Sequence, residues 1–213
     1  MDESRRPRVS DLLLLIDLQY DFMPGGALAV AEGDAIVPLV NRLAAKFQHV
    51  VFTQDWHPPG HASFASSHSG AKPFETIRLF YGDQTLWPDH CVQGGNGANL
   101  HRDLAVERAS LILRKGANAQ LDSYSAFVEA DGATTTGLAG YLRERGIGRV
   151  FLAGLATDYC VAYSALDARA AGFEALVIED ACRAIDLAGS LEAAWRKMTD
   201  AGVARIVSAT LLA

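Results

Sequence analysis

Residues 149–171 read RVFLAGLATDYCVAYSALDARAA. The first five, Arg149–Ala153, form a short apolar run, and Asp158–Ala171 form a longer alanine-rich amphipathic stretch. A buried strand feeding an amphipathic helix is one β-α unit. The same unit recurs in both directions along the chain. Apolar runs that predict strands lie at Asp11–Ile16, His49–Thr53, Ser110–Arg114, Glu174–Ile178 and Ala204–Val207. Amphipathic stretches that predict helices lie near Gly33–Phe47, Gly137–Arg145 and Ser190–Ala201. Near-continuous Val/Ile/Leu strands alternating with helices indicate an α/β fold with a parallel sheet covered on both faces. One stretch breaks the rhythm. From about Pro58 to His101 the chain carries four of its seven prolines and four of its six histidines, and it is read as irregular. An excursion of that length is more often functional than filler.

The length of 213 residues suggests one domain, 1–213, since about 150 residues is typical of each. Half the residues are hydrophobic and 21% are charged, which suits a globular chain and is too apolar for a disordered one. The formal net charge is −6, with no run of five like charges. Nucleic acid and acidic membranes both require concentrated basic surface, so neither is expected as a partner. A small-molecule substrate is expected instead, and a homo-oligomer is left open. Met1–Ser10 is polar with Arg5, Arg6 and Arg8, and Leu12–Ile16 is too short for a signal-peptide core or a membrane span. Three widely spaced cysteines, Cys91, Cys160 and Cys182, do not form a secreted disulfide framework and point to a reducing cytoplasm.

Ligands bind open parallel sheets outside the carboxyl ends of the strands. Four useful side chains fall there: Asp17 after the first strand, Asp55 after the second, Lys115 after the third and Cys160 after the fourth. Strand ends often carry polar residues for no chemical reason, but four of complementary type are harder to dismiss. Thr157 or Asp158 can cap the following helix, placing Cys160 in a first turn where the helix dipole favours thiolate. A core cysteine would be the ordinary outcome for Cys160, and is the reading for Cys91 and Cys182. Asp17 could accept the thiol proton and Lys115 could offset the resulting charge. In Asp55-Trp56-His57 a carboxylate and an imidazole share a side if the chain is extended. With His61 and His90 they form a donor set suited to Zn²⁺, Fe²⁺ or Mn²⁺. No phosphate loop of the GxxxxGK[ST] type and no GxSxG elbow is present.

Five segments, in order, resemble the nicotinamidase-type members of the isochorismatase-like cysteine hydrolases. They are IDLQYDF at 16–22, DWHPPGHASF at 55–64, LWPDHCV at 86–92, Lys115-Gly116, and ATDYCV at 156–161. The resemblance implies a three-layer α/β/α domain with a six-stranded, mainly parallel sheet. It implies Cys160 as nucleophile, Asp17 as acid/base and Lys115 as electrostatic partner. One divalent metal ion, Zn²⁺ first and Fe²⁺ or Mn²⁺ as alternatives, would be held by Asp55, His57 and His90; the matching position of His61 ligates in some members and only adjoins the metal in others. Phe22 and Trp87 would flank a flat aromatic substrate, with Tyr124 in the same pocket. A cis Leu155–Ala156 peptide is implied as well, with the backbone N–H groups of Ala156 and Cys160 forming an oxyanion hole. The activity implied is deamidation of nicotinamide to nicotinate and ammonia through a cysteine thioester, with pyrazinamide as a further substrate. Two other readings stand beside it: another amide or carbamoyl hydrolase of the superfamily, which would not need the metal segments, and a non-catalytic metal-binding domain.

Overall fold

Asp11–Ile16 (β1) is the most apolar strand, and in the computed structural model, which describes residues 6–212, all six of its residues are buried. Of the polar N-terminal stretch, Met1–Arg5 lies outside the described residues, as does Ala213. β1 pairs in parallel with His49–Asp55 (β2) on one side and Arg149–Leu155 (β6) on the other. Beyond β2 lies Leu111–Lys115 (β5), and beyond β6 lie Glu174–Arg183 (β7) and Ala204–Ile206 (β8). The order β5-β2-β1-β6-β7-β8 is parallel throughout. A strand buried on both faces cannot alternate polar and apolar residues, which is why β1 reads DLLLLI.

Helices Val37–Ala44 (α1), Leu138–Glu144 (α2), Ala162–Ala170 (α3), Ser190–Asp200 (α4) and Ala209–Leu212 (α5) complete the three-layer α/β/α arrangement. α1 packs on β1 and α5, while α3 packs on β7 and α4. Chain order reverses about β1, so the crevice outside the carboxyl ends of β1 and β6 is where a doubly wound sheet binds its ligand. A glycine lets the two strands approach: a Cβ on Gly154, at φ 124°, would stand 2.2 Å from the Ile16 carbonyl oxygen.

Two differences from the sequence expectations bear on the site. The 58–101 excursion is not wholly irregular, since Thr76–Leu79 (β3) and Gly82–Thr85 (β4) form an antiparallel hairpin within it. The hairpin is short: TIRL alternates over only four residues, and its partner GDQT has no apolar residue to read. The excursion also returns to the body, through bridges pairing His57 with Val92 and Gln19 with Leu100. In addition, the helix expected from Asp158 starts as a π turn at Thr157–Val161 and becomes α-helical only at Ala162. Neither Thr157 nor Asp158 caps it by side chain. The Asp158 carboxylate instead accepts from Ile185 N (3.1 Å), Asp186 N (2.8 Å) and Ser190 Oγ (2.5 Å), clasping the loop after β7.

Candidate active site

The four side chains expected at strand ends do meet. Lys115 closes β5, fully buried, and its ammonium touches every other member. Nζ lies 2.9 Å from Asp17 Oδ2 and 3.4 Å from Cys160 Sγ, is in close contact with Asp55 Oδ1, and donates to the Ser123 carbonyl at 2.9 Å. Donor atoms of Asp17, Asp55 and Cys160 lie within 4.8 Å of one another. Asp17 follows β1 at φ 50°, a left-handed turn that swings its carboxylate back across the strand end. Thr53 holds it there: its hydroxyl donates to Asp17 Oδ1 at 2.6 Å and accepts from Asp17 N at 3.1 Å. Gln19 fixes the backbone of Asp55, accepting from Asp55 N and donating to Asp55 O, each at 2.8 Å. Sequence reasoning passed over Thr53 and Gln19, although a polar residue inside a buried apolar run is a signal that could have found them.

Charge decides how these groups titrate. Burial pushes Asp17 above the usual carboxylate range, and the neighbouring Asp55 adds to this against the pull of Lys115. Burial alone would lower Lys115, but Asp17, Asp55 and Cys160 hold it well above the ordinary lysine value. Asp55 is likewise desolvated, yet Lys115, His57 and His90 keep it well below the carboxylate range. Burial raises Cys160 well above a free thiol, with Lys115 opposing, which overturns the expectation that the helix terminus would hold it as thiolate. Desolvation outweighs a partial charge at a turn that has not yet become α-helical. Cys91 and Cys182 are also buried free thiols raised by desolvation, but only Cys160 has an ammonium at its sulfur and a cleft before it.

Next to this corner the imidazoles gather. His57 Nδ1 lies 2.9 Å from Gly116 O and His90 Nδ1 lies 2.8 Å from Pro88 O. A carbonyl only accepts, so both rings carry hydrogen on Nδ1 and turn Nε2 inward. Those Nε2 atoms lie 3.5 and 3.9 Å from Asp55 Oδ2. A buried carboxylate and two imidazoles with orienting partners converge as a transition metal requires, so the residues fit a divalent ion. Gly116 is needed for this approach, because a Cβ there would stand 2.4 Å from His57 Cε1. His61 sits beside His57, ring centroids 4.3 Å apart, with Nδ1 2.7 Å from Ser63 Oγ and Nε2 3.3 Å from Leu121 O. It groups with His57 and Asp122 rather than with Asp55 and His90. Burial and His57 push His61 down, and burial and His57 lower His90 to about 4, so both are neutral near pH 7.

Cys160, Asp55, His57 and His90 face one cleft. Phe22, Trp87, Tyr124 and Ala156 line it, joined by Leu28, Asp122, Tyr159 and Ile185, which sequence reasoning did not single out. Trp87 Nε1 donates to the Tyr124 hydroxyl at 2.9 Å, and Tyr159 packs edge-on to Trp87 at 4.9 Å. The Leu155–Ala156 peptide is cis. No helix among the described residues is long and apolar enough to cross a membrane.

Comparison with known proteins agrees with this geometry. The Isochorismatase domain family matches residues 11–210. A nicotinamidase from Acinetobacter baylyi is 56% identical over 200 residues, covering 94% of each chain. The solved structure of an Acinetobacter baumanii nicotinamidase/pyrazinamidase superposes with a TM-score of 0.94 at 57% identity, over 95% of this chain and 98% of that one. A Pyrococcus horikoshii pyrazinamidase solved in complex with zinc superposes with a TM-score of 0.75 at 37% identity, over 93% and 99%. With a domain match from 11 to 210 and relatives this similar over nearly their whole lengths, the chain belongs to the isochorismatase domain family, in its nicotinamidase group.

Proposed function

We propose that the protein deamidates nicotinamide to nicotinate and ammonia, and accepts pyrazinamide, with Cys160 as nucleophile. One observation carries the reading: a single buried ammonium, Lys115 Nζ, contacts both Asp17 and Cys160 at the base of a cleft walled by Phe22, Trp87 and Tyr124. A thiol, a carboxylate with raised affinity for a proton and a fixed cation are what acyl transfer to sulfur needs. The flat aromatic wall suits a six-membered heteroaromatic ring. The residues 1–213 act as one catalytic domain, and 58–101 supply its metal and substrate loop. Free thiols suit a reducing, cytoplasmic setting.

In the first half-reaction Asp17 takes the proton of Cys160, and the sulfur attacks the carboxamide carbon. The N–H groups of Ala156 and Cys160 receive the developing oxyanion. Asp17 then gives its proton to the amide nitrogen, the C–N bond breaks, and ammonia leaves a thioester on Cys160. In the second half Asp17 removes a proton from water, whose oxygen attacks the thioester. The C–S bond breaks, nicotinate departs and the thiol is restored. Lys115 stays protonated throughout and offsets the charge on Asp17 and sulfur. Asp55, His57 and His90 would hold a divalent ion, Zn²⁺ foremost, with His61 supporting His57 from the side. Such an ion supplies a Lewis-acidic point that orients the substrate through its ring nitrogen.

Ammonia release from a panel of nicotinamide, pyrazinamide, aliphatic amides and carbamoyl compounds tests the assignment. Preference for the two heteroaromatic amides, with a thioester trapped on Cys160 by rapid quench and mass spectrometry, is expected. Turnover of carbamoyl compounds alone would overturn it.

A further inference from the structure

Gln84 is out of character with its surroundings. The β3–β4 hairpin is mostly exposed, and the Phe80 side chain at its tip is 78% accessible, yet Gln84 is 1% accessible. Its amide reaches back toward the cleft. Nε2 lies 2.8 Å from Asp122 Oδ2, 3.0 Å from Tyr124 Oη and 2.6 Å from Thr85 O, while Oε1 accepts from Tyr81 Oη at 2.9 Å. The acceptor-only Asp122 carboxylate fixes which end of the amide faces it, since a flipped Gln84 would set oxygen against oxygen. Nε2 has two hydrogens for these three oxygens, so Tyr124 Oη shares a Gln84 N–H with its nearer neighbours and takes the indole N–H of Trp87 for itself. The Tyr124 ring lines the cleft, so the contacts of its hydroxyl set how that wall stands.

We propose that Gln84 is a positioning residue for substrate recognition: from the hairpin it holds the Tyr124 hydroxyl, and through it the Trp87 indole, in the orientation that receives an aromatic ring. This deepens the proposed function and rests on it. Gln84 contacts neither Cys160 nor Lys115 nor Asp17, so its role falls on binding and not on the chemical steps.

The test compares wild type with Gln84→Met, which keeps the length and apolar volume of the side chain but loses its hydrogen bonds. KM for nicotinamide should rise about three- to tenfold, the scale of one hydrogen bond, with kcat within about twofold. In a double-mutant cycle, Gln84→Met placed on Tyr124→Phe should add little to KM, because the hydroxyl that Gln84 holds is already gone. A fully additive cycle, or a loss confined to kcat, would overturn the proposal. Hydrogen exchange of the Trp87 indole N–H, followed by NMR without substrate, should quicken in Q84M, and unchanged exchange would also overturn it. Should Q84M fail to fold, Gln84→Asn withdraws the amide by one carbon, keeps a neutral polar group beside Asp122 and is held to the same criteria. Wild-type protein that releases no ammonia from nicotinamide while exchange still responds to Gln84 would sink the proposed function and leave the positioning role standing.

Discussion

The two halves of the cleft are built on opposite plans. The thiol corner is assembled from sheet: Asp17, Lys115 and Cys160 follow or close β1, β5 and β6, and its charges are matched within it. The imidazole corner is assembled from loops, with His57 and His90 each tethered by one Nδ1 contact to a carbonyl and His61 by the Ser63 hydroxyl, and its carboxylates are Asp55 and, beside His57 and His61, Asp122. Asp55 belongs to both, pressed by Lys115 on one oxygen and faced by His57 and His90 on the other. Reacting atoms need fixed geometry, which a sheet supplies. A metal imposes its own geometry, so loops suffice there if second partners set the tautomers. Damage to the first corner should therefore appear in kcat and stability, and damage to the second in metal content and KM.

The strongest challenge to that division is Cys160→Ala. It should reduce kcat by about 10⁴-fold or more while leaving bound metal and nicotinamide affinity near wild type, as measured by ammonia release, elemental analysis and calorimetry. Retained turnover would end the covalent scheme. Lys115→Met should come next. It strands two buried carboxylates, so denaturant melts should show a loss of about 3–5 kcal/mol, and a melt unchanged from wild type would mean that the corner is not charge-matched through Lys115. Gly116→Ala, aimed at the other corner, drives a methyl group into the His57 ring. Metal affinity should fall about 10–100-fold in chelator competition, while the alkylation rate of Cys160 stays as it was. A change in alkylation with metal retained would erase the boundary between the corners.

The smallest effect expected is a shift in pH dependence. Burial raises the Asp17 pKa above the ordinary 3.8, so the acid limb of kcat/KM lies above that value. The Thr53 hydroxyl donates to the charged form and so lowers this pKa. Thr53→Val removes the donor, and the acid limb should move up by about one pH unit, in line with a hydrogen bond to a charged group. A limb that stayed in place or moved down would mean that Asp17 is not the base being titrated.

The legible part of the molecule was its sheet. DLLLLI at 11–16 and RVFLA at 149–153 are strands because they can be little else when buried on both sides, and the chain places Asp17, Asp55, Lys115 and Cys160 at or after such runs. The motifs around them were specific enough to imply the metal ligands and the aromatic walls. Strand ends were less legible: β7 continues to Arg183, past the apolar run ending at Ile178, and accommodates an irregular register against β6. The hairpin in the excursion was missed because its strands bury little, and Asp158 was read as a cap because a clasp on a loop 27 to 32 residues away leaves no local trace.

By itself the sequence determined which residue types stand at which strand ends, because apolar periodicity and turn chemistry are local properties. Tertiary structure alone decided which of them share a charge, which imidazoles converge, and that burial pushes the Cys160 thiol up. Those outcomes depend on distances between segments up to 143 residues apart, from Asp17 to Cys160, and on how completely water is excluded between them. Gln84 and Thr53 belong to the same class. Each is an ordinary polar residue in its own strand, and only the partner brought against it by the fold gives it a task.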